Sequence, residues 1–131
     1  MNVGTLAVRP EAASAALVRS AVAADLRIHR VAPRSVEDVV LVASELVGNA
    51  VVHAQACFEH DLDVSWEIHG DAVLIRVYDG STELPRRRST TENETSGRGL
   101  AIVAALADEW GVRQTDSGKQ VWARIPLGRT A

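Results

Sequence analysis

Three short stretches of the chain hold residue types that can act on a ligand. Glu45 and Asn49 stand four residues apart, one turn of a helix, so a helical segment places a carboxylate and a carboxamide on one side together with Asp38. Asp79 closes the run Val77-Tyr78-Asp79, where a carboxylate at a strand end accepts hydrogen bonds from a ligand amine. Gly97-Arg98-Gly99 opens a helical pattern, and backbone amides at the positive end of a helix dipole cradle phosphates. Each has a plain alternative: a solvated polar helix face for the first, a turn residue for the second, an ordinary loop-to-helix junction for the third.

The elements that must carry these residues follow from periodicity and punctuation. A strand is predicted over Gly4 to Val8. After it, Pro10 stands at the start of an alanine-rich helix from Glu11 to Ile28, with Leu17, Ala21, Ala24 and Ile28 at helical spacing. Pro33 and Ser35 mark the next start, with Ser35 as N-cap and Asp38 three residues on. The second helix then runs from about Val36 to Ala54. It buries Val36, Val40, Ala43, Val47, Ala50 and Ala54, with Glu45, Asn49 and Asp38 opposite them.

From Leu62 the period changes. Val64, Trp66 and Ile68, the turn Gly70-Asp71, then Val73, Ile75 and Val77 read as a β-hairpin. Residues 80–97 are polar and aperiodic, contain Pro85 and Arg86-Arg87-Arg88, and have the length of a lid. A third helix follows, with Leu100, Val103, Ala104, Ala107 and Trp110 as its buried stripe and Gly111 as its end. Val112 to Thr115 and Val121 to Ile125, joined at Ser117-Gly118, form a closing hairpin. The fold class is an α/β (α+β) two-layer sandwich, a mixed but mostly antiparallel sheet covered on one face by about three helices.

The totals bound the function. A chain of 131 residues with 47% hydrophobic and 24% charged residues suits one packed domain, expected over 1–131, and argues against disorder. A net charge of -3 argues against nucleic acid as a direct partner, since phosphate neutralisation needs a basic surface. Cys57 is the lone cysteine, no secretory segment follows Met1, and no apolar run is long enough for a membrane, so the expected location is the cytoplasm.

Taken in order, the motifs resemble one superfamily. Glu45-Leu46-Val47-Gly48-Asn49-Ala50-Val51-Val52-His53-Ala54 is similar to the N-box of the GHKL (Bergerat-fold) ATPases and kinases. Val77-Tyr78-Asp79 resembles the adenine-reading box, and Ser96-Gly97-Arg98-Gly99-Leu100 the second glycine box. Trp110-Gly111-Val112 and Gly118-Lys119-Gln120-Val121-Trp122 resemble the closing hairpin. The nearest likeness is to the anti-sigma-factor serine/threonine kinase branch and its short actinobacterial members, over nearly the whole chain.

That resemblance implies ATP and Mg2+ as cofactors. It implies that Glu45 is the catalytic base or orients the attacking hydroxyl, that Asn49 binds Mg2+ through its amide oxygen, and that Asp79 accepts from the adenine amine. Gly97, Arg98 and Gly99 would hold the phosphates, with Ser81 and Leu100 in the same nucleotide-binding set. Relatives continue the adenine box as Asp-x-Gly; here Asp79-Gly80-Ser81 brings the glycine one position early and puts Ser81 in its place.

The implied function is a kinase that phosphorylates a STAS-type anti-anti-sigma protein and otherwise sequesters a sigma factor. Alternatives are a non-catalytic nucleotide-dependent binding module and a detached histidine-kinase catalytic domain. Members of that branch commonly dimerise, so a homodimer through the first helix or a sheet edge is also implied. Outside these motifs, Arg86–Arg88 reads as a phosphate-sensing lid element, a dock for an acidic partner or a solvated run. His53 and Cys57 have metal-binding spacing without a second pair, so core packing competes with it. Trp66, Trp110 and Trp122 are expected to be buried.

Overall fold

Alternation of apolar and polar residues in Val64-Ser65-Trp66-Glu67-Ile68 gives one strand a buried and an open face, and the same period across the next turn supplies its partner. The computed structural model describes residues 2–53, 61–79, 101–115 and 118–128. In chain order these form β1 (Asn2–Val8), α1 (Ser14–Ile28), α2 (Pro33–His53), β2 (Leu62–His69) and β3 (Ala72–Asp79). A helix α3, described over 101–106, precedes β4 (Glu109–Thr115) and β5 (Gly118–Pro126).

The strands lie in the order β1-β2-β3-β5-β4. Every neighbouring pair is antiparallel, so the expected parallel component of the sheet is not between neighbours. The described sheet is therefore wholly antiparallel and not mixed, and β3 and β4 run the same way because β5 lies between them. The chain leaving β3 must therefore travel back along the sheet before entering β4, and α3 is the last part of that return. The β2–β3 hairpin closes on Gly70 and Asp71, with His69 paired to Ala72. Gly70 has φ 63 and Asp71 is not in the positive-φ region, the requirement of a type II′ turn.

Leu62, Val64 and Trp66 of β2, Val73, Ile75 and Val77 of β3, and Ala123 and Ile125 of β5 face the helices and are buried. They form one core with Val18, Val22 and Leu26 of α1, Val39, Val42 and Leu46 of α2, and Val103 of α3. The other sheet face carries Glu67, which pairs with Arg76 at 3.5 Å, and Trp122, whose ring lies over Gly111. This is the two-layer sandwich the periodicity implies.

Several details differ from the sequence expectation. Residues 11–13 form turns rather than helix, and Ser14 begins α1 with its hydroxyl donating to the Arg9 carbonyl at 2.6 Å. The buried stripe of α1 is Ser14, Val18, Val22 and Leu26, whereas Leu17, Ala24 and Ile28 are exposed. An alanine-rich helix is apolar on more than one side, and the larger branched side chains decide which side packs.

Pro33, not Val36, is the first residue of α2, where its missing N–H would have no intrahelical partner anyway. Ser35 therefore is not the N-cap: it is buried, and its Oγ accepts the Gly128 N–H at 3.0 Å. Trp110 and Gly111 belong to β4 rather than to α3, since the described helix ends at 106. Of the tryptophans Trp66 is buried, Trp122 is half-buried, and Trp110, on the edge strand, is exposed.

Trp66 shows how tightly the β1 side is assembled. Its indole N–H donates to Asp25 Oδ2 at 2.8 Å, and its ring lies across the backbone of its register partner Gly4. A Cβ at Gly4 would overlap that ring. Gly4→Ala is expected to lower stability by about 1–3 kcal/mol, the range for overpacked cores, as a lower urea midpoint with unchanged slope.

Candidate functional site

The register places one row of residues across one end of the sheet: Val8 opposite Leu62, Leu62 opposite Asp79, Asp79 opposite Lys119, and Lys119 opposite Gln114. Asp79 shares its face with Val73, Ile75 and Val77 and so points toward the helix layer. It is only 6% exposed and, as a carboxylate at such a position must be, it is engaged with the protein. Lys119 stands beside it across the β3–β5 ladder, half-buried, with its side chain on the same face.

The helices converge on this row. α1 starts there, tied by Ser14 to Arg9 just beyond β1, and descends to the opposite end. α2 starts at that opposite end, where Ser35 holds Gly128, two residues past the Pro126 that pairs with Ala72. It then rises against β3 and β5 for about 31 Å, from its 21 residues at 1.5 Å each. Glu45 and Asn49 lie in its second half and so are carried toward the Asp79 end.

Both residues are half-buried, as is Asp38. Contrary to the sequence expectation, they do not lie opposite the core. Val36, Ala43, Val47 and Ala50 are buried as expected, but Val39, Val42 and Leu46 are buried too, so the core face of α2 is wider and shifted toward Asn49, while Val40 is only half-buried. Leu41 and Val52 occupy the outward side, 43% and 57% exposed, and Glu45 and Asn49 fall on the rim between. A rim position lets a polar side chain reach into a cleft beside the sheet without facing bulk water on every side.

Two further groups at this level had no sequence signal. Arg19 of α1 donates from Nη1 to Ser44 Oγ at 3.1 Å, linking the helices one residue before Glu45. Lys119 reads as an ordinary hairpin residue until β5 is known to pair with β3. Ser81, Gly97, Arg98, Gly99 and Leu100 lie outside the described residues, as do Arg86–Arg88, Ala54, Cys57 and the His53 side chain. The geometry therefore brings Glu45, Asn49 and Asp79 toward one end of the molecule and leaves the glycine box unplaced.

The donors present suit a nucleotide with a hard cation. A carboxylate and a carboxamide oxygen one turn apart offer oxygen ligands, and no group of three or more His, Cys, Asp or Glu residues that could hold a metal occurs among the described residues. Mg2+ is commonly held in this way, by one or two protein oxygens with phosphates and water completing the octahedron.

The sequence model of the family described as histidine kinase-like ATPase domain matches residues 7–125. The chain belongs to this family. The match bears out the resemblance to the GHKL superfamily, and this histidine kinase-like ATPase domain is an ATP-binding GHKL domain. Among solved structures, its fold is similar to that of the RsbU and RsbW domains of Rv1364c from Mycobacterium tuberculosis, with TM-score 0.76 and 22% identity. That likeness covers 100% of this chain and 34% of the other, so the domain spans about a third of that protein's length. It is also similar to the histidine kinase domain of the EL346 blue-light activated histidine kinase from Erythrobacter litoralis, with TM-score 0.55 and 22% identity over 71% of this chain and 45% of that one. No curated protein matches. No described helix is long and apolar enough to cross a membrane.

Proposed function

We propose that this domain is an ATP- and Mg2+-dependent serine/threonine protein kinase of the anti-sigma-factor type, acting on a STAS-type anti-anti-sigma protein and sequestering a sigma factor. The observation that carries the reading is the delivery of Glu45 and Asn49, on one half-buried rim of α2, toward the sheet end closed by buried Asp79. Its similarity to a solved structure containing an RsbW domain over the whole of this chain supports the same branch.

In this reading ATP supplies the phosphoryl group, and the residues position and neutralise. Asp79 accepts the hydrogen bond that selects adenine. Asn49 offers its amide oxygen to Mg2+, and Glu45 takes the proton from the attacking hydroxyl of the partner's serine or threonine. Gly97, Arg98 and Gly99, with Ser81 and Leu100, complete the nucleotide site. A cytoplasmic location and a homodimer belong to the same proposal.

The test is a calorimetric titration of the chain with Mg-ATP, followed by transfer of the labelled γ-phosphate to a purified STAS-domain protein. Saturable one-site binding that disappears with Asn49→Ala, and label on serine or threonine, are the expected results. Absence of binding by the unaltered chain would sink the reading. Ser81 in place of the usual glycine favours a second reading, a module that binds nucleotide to shape a partner surface and transfers nothing. Label retained as acid-labile phosphohistidine would favour the detached histidine-kinase reading.

A further inference from the structure

The sheet end opposite Asp79 carries a surface that nucleotide chemistry does not use. α1 terminates there with the Val31 N–H bonded to the Leu26 carbonyl and the Arg30 N–H to the Arg27 carbonyl, both at 3.0 Å. This is the Schellman pattern, whose residue after the C-cap takes a left-handed conformation and is most often glycine. Here it is Arg30, at φ 60, the one non-glycine residue with positive φ among those described. Its Cβ makes that conformation locally unfavourable, so backbone geometry alone does not account for an arginine at this position.

Beside Arg30 lies an open cleft of about 570 Å³, lined by Val31, Pro33, Ile68 and Leu127 together with His29 and Arg30. None of its lining residues is acidic. Arg27 and Arg34 flank it in sequence; like Arg30, both are exposed, and none of the three arginines has an ion pair among the described residues. His29 does approach the Asp25 carboxylate at 3.6 Å, and Asp71 and the Glu67–His69 pair stand nearby on the β2–β3 hairpin. Ile28, 73% exposed, adds apolar surface next to the arginines. The combination is an apolar cleft whose lining holds Arg30 and no acid, with exposed Arg27 and Arg34 next to it in sequence, on a chain whose net charge is -3.

We propose that this cleft docks a segment of a partner protein in which an aliphatic or aromatic side chain is flanked by carboxylates. The apolar lining takes the side chain, and Arg27, Arg30 and Arg34 meet the carboxylates, which also orient the segment. A nucleic acid fits less well, because its phosphates would need an extended basic track on a protein of opposite net sign. The dock is remote from the Asp79 end and does not depend on what binds there.

Random dodecapeptides displayed on phage and selected on the full chain, with counter-selection on the Arg30→Gly and Arg34→Glu chains, test this. Enriched peptides are expected to pair Asp or Glu with Leu, Ile or Phe. A labelled synthetic copy should bind about ten-fold more weakly to either variant by fluorescence anisotropy. Because glycine relieves the left-handed residue, Arg30→Gly should at the same time raise the thermal midpoint by about 2–5 °C, which separates lost docking from lost folding. Amide shifts on peptide addition should fall on residues 27–34, 68–70 and 127–128. Peptides without acidic bias, peptides bound equally by the variants, shifts centred on Asp79, or a 20-base-pair duplex competing with the peptide would each overturn the proposal.

Discussion

Asp79→Asn is expected to weaken ATP binding by about 10- to 100-fold, the loss that follows when a hydrogen bond to a charged acceptor, roughly 1.5–3 kcal/mol, is replaced by a poor contact. Asparagine keeps the shape of the residue but presents an amide that is half donor. At a position only 6% exposed, water cannot enter freely to repair the mismatch with an adenine amine. The measurement is calorimetry with Mg-ATP and, in parallel, with purine riboside triphosphate, which lacks the 6-amino group. If Asp79 reads that amine, the unaltered chain should bind the analogue about as weakly as the variant binds ATP, and the variant should lose little more on the analogue. Equal losses for both nucleotides on substitution would mean that Asp79 supports the fold at the end of β3 and does not read the base. A urea titration of the variant distinguishes that outcome directly, because Asp79 is already engaged within the protein.

What the sequence made legible was local. The hairpin of β2 and β3 is written in the alternation from Val64 to Val77 around Gly70-Asp71, since side-chain period and turn chemistry act over neighbouring residues. The same holds for the motif order that led to the family, whereas the start of α2 lay three residues earlier than expected, at Pro33. Faces were harder. Leu17 and Val18 are adjacent and both apolar, and only packing against β1 and α2 decides that Val18 is buried and Leu17 is 59% exposed. The shifted core face of α2 has the same cause: an apolar run from Val39 to Ala43 permits several stripes, and the sheet selects one. Trp110 was drawn into α3 because its spacing continues the helical pattern, whereas backbone pairing with β5 places it in β4. Arg30 carried no signal at all, because a left-handed arginine is visible only in the backbone.

Glu45→Gln is expected to reduce phosphotransfer by about 10²- to 10⁴-fold, the range for loss of a positioned general base, while changing the ATP dissociation constant less than about three-fold. The two readings of the domain diverge at this residue. Glutamine preserves volume and hydrogen bonding on the half-buried rim, so the link between Arg19 and the neighbouring Ser44, which steadies this turn of α2 against α1, should persist. Only the ability to take a proton is removed. The assay is single-turnover transfer of label to a STAS-domain protein, with nucleotide affinity measured on the same preparation. A large fall in rate at constant affinity places Glu45 at the reacting hydroxyl, as its one-turn separation from Asn49, about 5–6 Å between Cβ atoms, allows. Transfer unchanged by the substitution would assign the proton to another group. If the unaltered chain binds ATP yet shows no transfer, the rim of α2 serves a nucleotide-dependent binding module, and Glu45→Gln should then alter only how nucleotide changes the affinity for the partner.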